Sequence, residues 1–240
     1  MNASPCGTSG GLRVLHVDDH VVIVDKPSGM PSVPARTPLD PPDVAAVLAA
    51  TLGPLEAVHR LDRDTSGLLV LARSRAVRVT LGHAFESAAV AKRYRAVVIG
   101  APPTDSGAIH LPLADDPARP PRKRVDPILG RRATTRWRVI DRVAAVAGVH
   151  GPLALLDLEP LTGRSHQLRV HLAWLGCPIA GDRLYAAPLP AMWPLALRAT
   201  EMTFPHPRTG HLMTTIAAAA PLPPWTLFVG GGTRSSVAAG

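Results

Sequence analysis

Apolar residues fall along this chain in short runs punctuated by Gly, Pro and charged residues, a pattern of many short strands and few helices. Val21 to Asp25 reads as a strand that ends at the turn Lys26-Pro27-Ser28-Gly29. Further strands are expected at Leu68 to Ala72, Tyr94 to Ile99, Thr134 to Ile140, Leu153 to Leu158, Leu195 to Phe204 and His211 to Ile216. Three segments read as helices. Pro42 to Leu52 has Asp43 near its positive end. Arg75 to Ala88 offers Val79, Leu81 and Phe85 to its buried side. Ser165 to Leu175 has Ser165 as a candidate cap. Pro117 to Arg132 reads as a basic, proline-rich loop, and residues 1–11 and 230–240 as frayed ends. Strands outnumber helices and several neighbours look hairpin-connected. The expectation is an α+β fold around a largely antiparallel mixed sheet rather than a doubly wound one.

Composition narrows the function class. The chain has 240 residues without internal repeat, 46% of them hydrophobic, enough for a real core in one catalytic domain spanning about 13–228. A net charge of +8 favours an anionic partner, nucleic acid before acidic membrane. With only 4% aromatics, a stacking platform for single strands is poorly supported. Cys6 and Cys177 make neither a disulfide framework nor a zinc pair, so a reducing, cytoplasmic setting is expected. No secretory leader and no apolar run of membrane-spanning length is visible.

The most informative stretch is Val58-His59-Arg60-Leu61-Asp62-Arg63-Asp64-Thr65-Ser66-Gly67. Arginines closely flank one carboxylate, which favours its charged form. The apolar run from Leu68 would anchor the loop to a rigid strand. A carboxylate kept ionised can attack an electron-poor carbon. Taken alone, an Arg-Leu-Asp-Arg tetrapeptide is more often a solvated loop with weak surface ion pairs. The whole string, however, resembles the signature of the RluA-type pseudouridine synthases, in which this Asp is the nucleophile.

The rest of the chain extends the resemblance in order. Ala91-Lys92-Arg93-Tyr94-Arg95 is similar to the family's Lys-x-Tyr motif at the head of a strand, and Thr162-Gly163-Arg164-Ser165-His166-Gln167-Leu168-Arg169-Val170-His171 to its third motif, with Ser165 where Thr is usual. Asp25 to Gly29, Arg132 to Trp137, Cys177 to Tyr185 and Phe204 to Pro207 match further segments. Ala186 stands where Gly is usual and Arg198 where His is usual. The resemblance implies Asp62, Tyr94 and Arg169 as catalytic residues, Arg169 being the counterion of Asp62. The cations around Tyr94 would favour a phenolate or a strongly polarised phenol. On a helix, Gln167 and His171 share a face, as do Ser165 and Arg169.

By the same resemblance the enzyme isomerises uridine to pseudouridine in folded RNA, transfer RNA or large-subunit (23S) ribosomal RNA or both. It needs no cofactor or metal and is expected to be a monomer. The small S4 RNA-binding domain that precedes many relatives is not expected. Expected RNA contacts are Arg60, Arg63, Lys26, Lys92, Arg122, Lys123, Arg124, Arg164 and His166. A second class is an RNA-binding or ribosome-assembly protein whose catalysis is dispensable. Asp62, Tyr94 and Arg169 together speak against it. An aspartate phosphatase fits less well, because Val58 to Leu61 makes a poor buried strand and the later carboxylates it would need for magnesium, Asp115-Asp116, lie in a proline-rich loop. His166 and His171 are wrongly spaced for paired zinc ligands, and no nucleophile elbow, P-loop or dinucleotide fingerprint occurs.

Overall fold

The computed structural model describes residues 8–9, 12–34, 41–87, 89–144, 149, 151–187, 193–218, 220 and 224–228. In chain order the elements begin with β1 (Thr8–Ser9), β2 (Leu12–Val17), β3 (Val21–Lys26), α1 (Val44–Leu52), β4 (Glu56–Ala57), β5 (Ser66–Ala72) and α2 (Arg75–Glu86). They continue with β6 (Ala91–Ile99), β7 (Ser106–His110), β8 (Leu113–Asp115), β9 (Lys123–Val125), β10 (Thr134–Val143) and β11 (Leu153–Pro160). α3 (Gln167–Trp174), β12 (Leu197–Pro205), β13 (Leu212–Ile216) and a 3-10 turn at Trp225–Phe228 complete the set.

Eleven strands form one sheet in the order β1-β2-β3-β5-β12-β6-β11-β10-β7, with β13 paired to β12 and β4 to β5. Its described pairings are antiparallel except that of β12 with β5, where Arg198 faces Ser66 and Ala199 faces Gly67. The fold is α+β with a mixed, mainly antiparallel sheet, as the spacing of strands predicted. β12 is where two halves meet, with Ala199, Met202 and Phe204 in one core and Leu197 in the other. Each half has its own core, one of β2, β3, β5, α1 and α2, the other of β6, β10, β11 and α3. Tyr94 packs against both, so it stands at the seam.

Gly67 explains part of the signature string. Its φ is +104°, and an added Cβ would lie 2.1 Å from the Ala199 carbonyl oxygen. Only glycine lets β12 come this close beside the Asp62 loop.

Several expectations change. Asp43 does cap α1, accepting from the Ala45 and Ala46 amides. Ser165 does not cap α3, which starts two residues later with His166 at the cap position and no side-chain cap bond. Ser165 and Arg169 therefore do not share a helical face, whereas Gln167 and His171 both bond the Thr135 hydroxyl. On α2, Leu81 is buried and Phe85 half-buried, but Val79 is exposed; Ala88 lies outside the described residues. The 117–132 stretch is not all loop, because Lys123–Val125 pairs with Leu113–Asp115 as a separate hairpin. Thr8–Ser9, expected to fray, pairs with Leu12 and Arg13; residues 230–240 lie outside the described set.

Candidate active site

The Asp62 loop is braced from beneath by the Lys26–Ser32 turn. Lys26 is fully buried, and its ammonium donates to the carbonyls of Pro27, Met30 and Arg63 at 3.0, 2.8 and 2.9 Å. Ser28 donates to the Asp64 carbonyl, and Ser32 exchanges hydrogen bonds with both backbone groups of Leu61. Burial pushes the Lys26 pKa down to about 8, opposed by Asp64 and Asp62. Lys26 was expected to contact RNA. It cannot reach a phosphate from this position and instead fixes the backbone that carries Asp62. Arg63 turns its Nε to the Gly29 carbonyl at 3.0 Å.

Asp62 projects from that loop toward α3. The guanidinium that meets it is neither flanking arginine but Arg169, whose Nη1 lies 3.1 Å from Oδ2. Arg169 is itself gripped by Asp182, with Nε and Nη2 each donating at 2.8 Å to one carboxylate oxygen. A two-pronged grip of this kind fixes the plane of a guanidinium. Asp182 also accepts the backbone amides of Leu184 and Tyr185. Burial works against the charge on Arg169, but the bonds to Asp182 and Asp62 outweigh it and raise its pKa, so it stays cationic. Asp182 was missed as an orienting group, although the Cys177 to Tyr185 motif contained it. A carboxylate thirteen residues from its arginine gives no local pattern to read.

Further polar groups organise the turn before α3. Gln167 donates to the Thr134 carbonyl and the Thr135 hydroxyl and accepts from Thr162 and the Arg164 amide. His171 bonds Thr135 and the Leu111 carbonyl. These buried groups hold the chain where Arg164 and His166 project. His166 adopts a left-handed backbone, φ 55°, and its Nε2 lies 3.8 Å from Asp62 Oδ2.

An open cavity of about 800 Å³ lies above Asp62 at the seam, within the usual range for ligand pockets. Asp62, Tyr94, Arg169, His166, Arg60, Arg164 and Lys92 all line it. Thus the structure collects the three expected catalytic residues and four of the nine expected RNA contacts in one place. Tyr94 differs from expectation. Strand alternation sends Arg93 and Arg95 to the opposite face, and burial, then Asp62, raise its pKa. The hydroxyl stays a neutral phenol. Lys92 sits 5.9 Å over the Phe85 ring, which stacks on His59. Burial lowers the Lys92 pKa.

The basic stretch is less free than its sequence suggested. Arg119 pairs with Asp116 at 3.0 Å, Arg124 with Asp126 at 2.8 Å, and Lys123 with Asp115. Arg122 lies over the Tyr185 ring at 5.2 Å. Arg131 lines the cavity, and the Arg132 carbonyl accepts from Arg164 Nε. No cluster of metal-ligating side chains occurs among the described residues.

Comparison with known proteins bears directly on this constellation. Residues 20–174 match the family model described as RNA pseudouridylate synthase. An enzyme of Haemophilus influenzae named dual-specificity RNA pseudouridine synthase RluA is 39% identical over 205 residues, covering 85% of this chain and 91% of its own. Its namesake from Escherichia coli strain K12 is 40% identical over 210 residues, covering 87% and 93%. This chain belongs to the RluA-type RNA pseudouridine synthases. It is an isomerase acting on uridine in RNA, and a binding protein without catalysis is not favoured. Human RNA pseudouridylate synthase domain containing 4 has the same fold, with a TM-score of 0.68 at 26% identity over 85% of this chain and 87% of its own. A second human structure, domain containing 1, superposes with a TM-score of 0.72 at 22% identity over 90% and 86%, a likeness of fold. Of the three departures from the family's usual residues, Ser165 lines the cavity but keeps a hydroxyl, whereas Arg198 and Ala186 are not among its lining residues. Arg198 pairs with Asp25 at 2.5 Å and donates to the Ala218 carbonyl, and Ala186 closes the turn after Asp182.

Proposed function

We propose that Asp62 is the reacting carboxylate and that the substrates are transfer RNA and large-subunit ribosomal RNA. The supporting observation is the 3.1 Å contact of Asp62 with a buried, doubly held arginine at the base of the cavity. A counterion fixed before substrate arrives costs no reorganisation when charge develops. The dual-specificity names of the relatives support two RNA classes. The enzyme acts as a cytoplasmic monomer in this reading.

The uridine must leave its stack to reach Asp62, at a cost of a few kcal/mol. Arg60, exposed at the cavity lip, fills the vacated space, since a guanidinium plane both stacks and hydrogen-bonds. Asp62 acts at the ribose while the N1–C1′ bond breaks. The base turns, a C5–C1′ bond forms, and the C5 proton leaves as N1 gains one. Atoms and electrons balance without a co-reactant. Tyr94 packs on the base and, as a neutral phenol, relays the proton. Lys92 and Arg164 meet phosphates at the rim, where contacts position rather than specify.

Mapping pseudouridine across transfer and ribosomal RNA with and without the gene tests the substrate claim. Sites lost in both RNA classes are expected. Loss in one class alone contradicts dual specificity, and no loss contradicts the activity.

A further inference from the structure

His166 is held at φ 55°, a backbone region that residues other than glycine enter only under strain, and such strain collects at functional sites. It stands at the cap position of α3 yet makes no cap bond with its side chain. Its ring is held elsewhere. Nδ1 lies 2.8 Å from the Tyr185 hydroxyl oxygen, and that oxygen receives the backbone N–H of Lys123 at 2.7 Å. The Lys123 amide can only donate, so Tyr185 accepts there and has its own proton to give. Nδ1 is the acceptor beside it. A neutral imidazole then carries its proton on Nε2. The opposite tautomer would leave the tyrosine proton without a described acceptor and aim a lone pair at Asp62.

We propose that His166 is a positioning residue for Asp62. Its Nε2–H and Arg169 Nη1 converge on the same oxygen, Oδ2, from 3.8 and 3.1 Å. Oδ2 is thereby pinned and Oδ1 is left for the ribose. The 3.8 Å separation is longer than a hydrogen bond, and such contacts tighten when substrate binds. Burial keeps the imidazole neutral, with Arg169 and Lys123 also opposing its charge and Asp62 and Asp182 favouring it. Tyr185 fixes the tautomer and the Lys123 amide fixes Tyr185. The β8–β9 hairpin is in this way tied to the nucleophile.

This inference rests on Asp62 being the reacting carboxylate, so single-turnover rates and RNA affinities are measured together for one series. His166→Asn keeps a residue at ease in the left-handed region but reaches only to the place of Nδ1. His166→Gln carries an amide N–H out to the place of Nε2. Expected is a loss of about tenfold or more in rate for His166→Asn, with RNA affinity within a few-fold, and recovery of most of that rate in His166→Gln. Tyr185→Phe should slow the wild-type background, where it frees the tautomer, and have little further effect in the His166→Gln background, which has none. A wild-type rate with weakened binding in His166→Asn would make His166 an RNA contact and overturn the proposal. So would equal slowing by Tyr185→Phe in both backgrounds. If His166→Asn fails to fold, as a thermal scan would show, the Tyr185→Phe comparison decides alone. An inactive wild type would refute the reading of the reaction; an active one indifferent to these changes refutes only this inference.

Discussion

Removing Arg169 should cost this protein far more stability than neutralising Asp62, although the two share an ion pair. Arg169 makes two bonds to Asp182 at 2.8 Å and one to Asp62 at 3.1 Å, and the Asp182 side chain is 0% exposed. Arg169→Met strands that carboxylate in the interior, a change that typically costs about 3–5 kcal/mol. The backbone amides of Leu184 and Tyr185 still serve Asp182, which places the expectation near the lower end, about 3 kcal/mol. For a chain of this size that corresponds to a fall in Tm of roughly 6–12 °C. Asp62→Asn leaves the Arg169–Asp182 pair whole, and the Asp62 side chain is 22% exposed, so the change should stay within about 1 kcal/mol. Adding Asp182→Asn to Arg169→Met should recover much of the loss, because no charge is then stranded. Urea unfolding gives the free energies, and an unchanged m-value certifies that one transition is being compared. Equal losses for Arg169→Met and Asp62→Asn would refute the argument that Asp182, not Asp62, anchors the arginine.

Tyr94→Phe keeps the ring at the seam, so the Tm should hold while the single-turnover rate falls about a hundredfold or more; a lower Tm with unchanged rate per folded molecule would make Tyr94 a core residue only. His59 accepts the Val70 amide through Nε2, and burial, then Lys92, push its pKa down to about 3 from 6.5. The unfolded chain therefore binds a proton that the folded one refuses between those values, and stability present above pH 6.5 is lost on acidification toward 3. His59→Gln should flatten that part of the profile in denaturant titrations at pH 7 and 5, and parallel profiles would contradict it. Arg124→Gln should barely alter the salt slope of RNA affinity, because Asp126 already neutralises it, whereas Arg164→Gln at the cavity rim should lower the slope by about 0.7–0.9; the reverse order would return the grip to the hairpin.

Seven strands were legible because alternating and continuous apolar runs need no long-range information, whereas β1, β2, β4, β7, β8 and β9 were not expected. The motif strings likewise pointed to Asp62, Tyr94 and Arg169, which the fold gathers around one cavity. Much of what stayed hidden depends on distant partners. Lys26 reads as a surface cation beside a turn, but the carbonyl of Arg63, thirty-seven residues on, helps bury it. The 119–124 cations read as a free basic patch, yet Asp116 and Asp126 lie three and two residues from the arginines they pair with, and only the Lys123–Asp115 pair needs the hairpin to form. The roles of Asp182 and Tyr185 were missed because each acts through a residue on another element. Ser165 looked like a cap because hydroxyls favour helix starts. The Gln167 network instead delays the helix and leaves His166 at its head.

If the Asp62 carboxylate performs the isomerisation, neutralising it must stop the reaction without releasing the RNA. Tritium release from RNA carrying 5-tritiated uridine, under single-turnover conditions with saturating Asp62→Asn enzyme, tests it most directly. Asn keeps the size and loop position of Asp62 and removes its charge. A rate lower by several orders of magnitude is expected, as when an essential catalytic group is removed, with RNA binding within a few-fold of wild type. An appreciable residual rate in the folded, RNA-bound variant would contradict it.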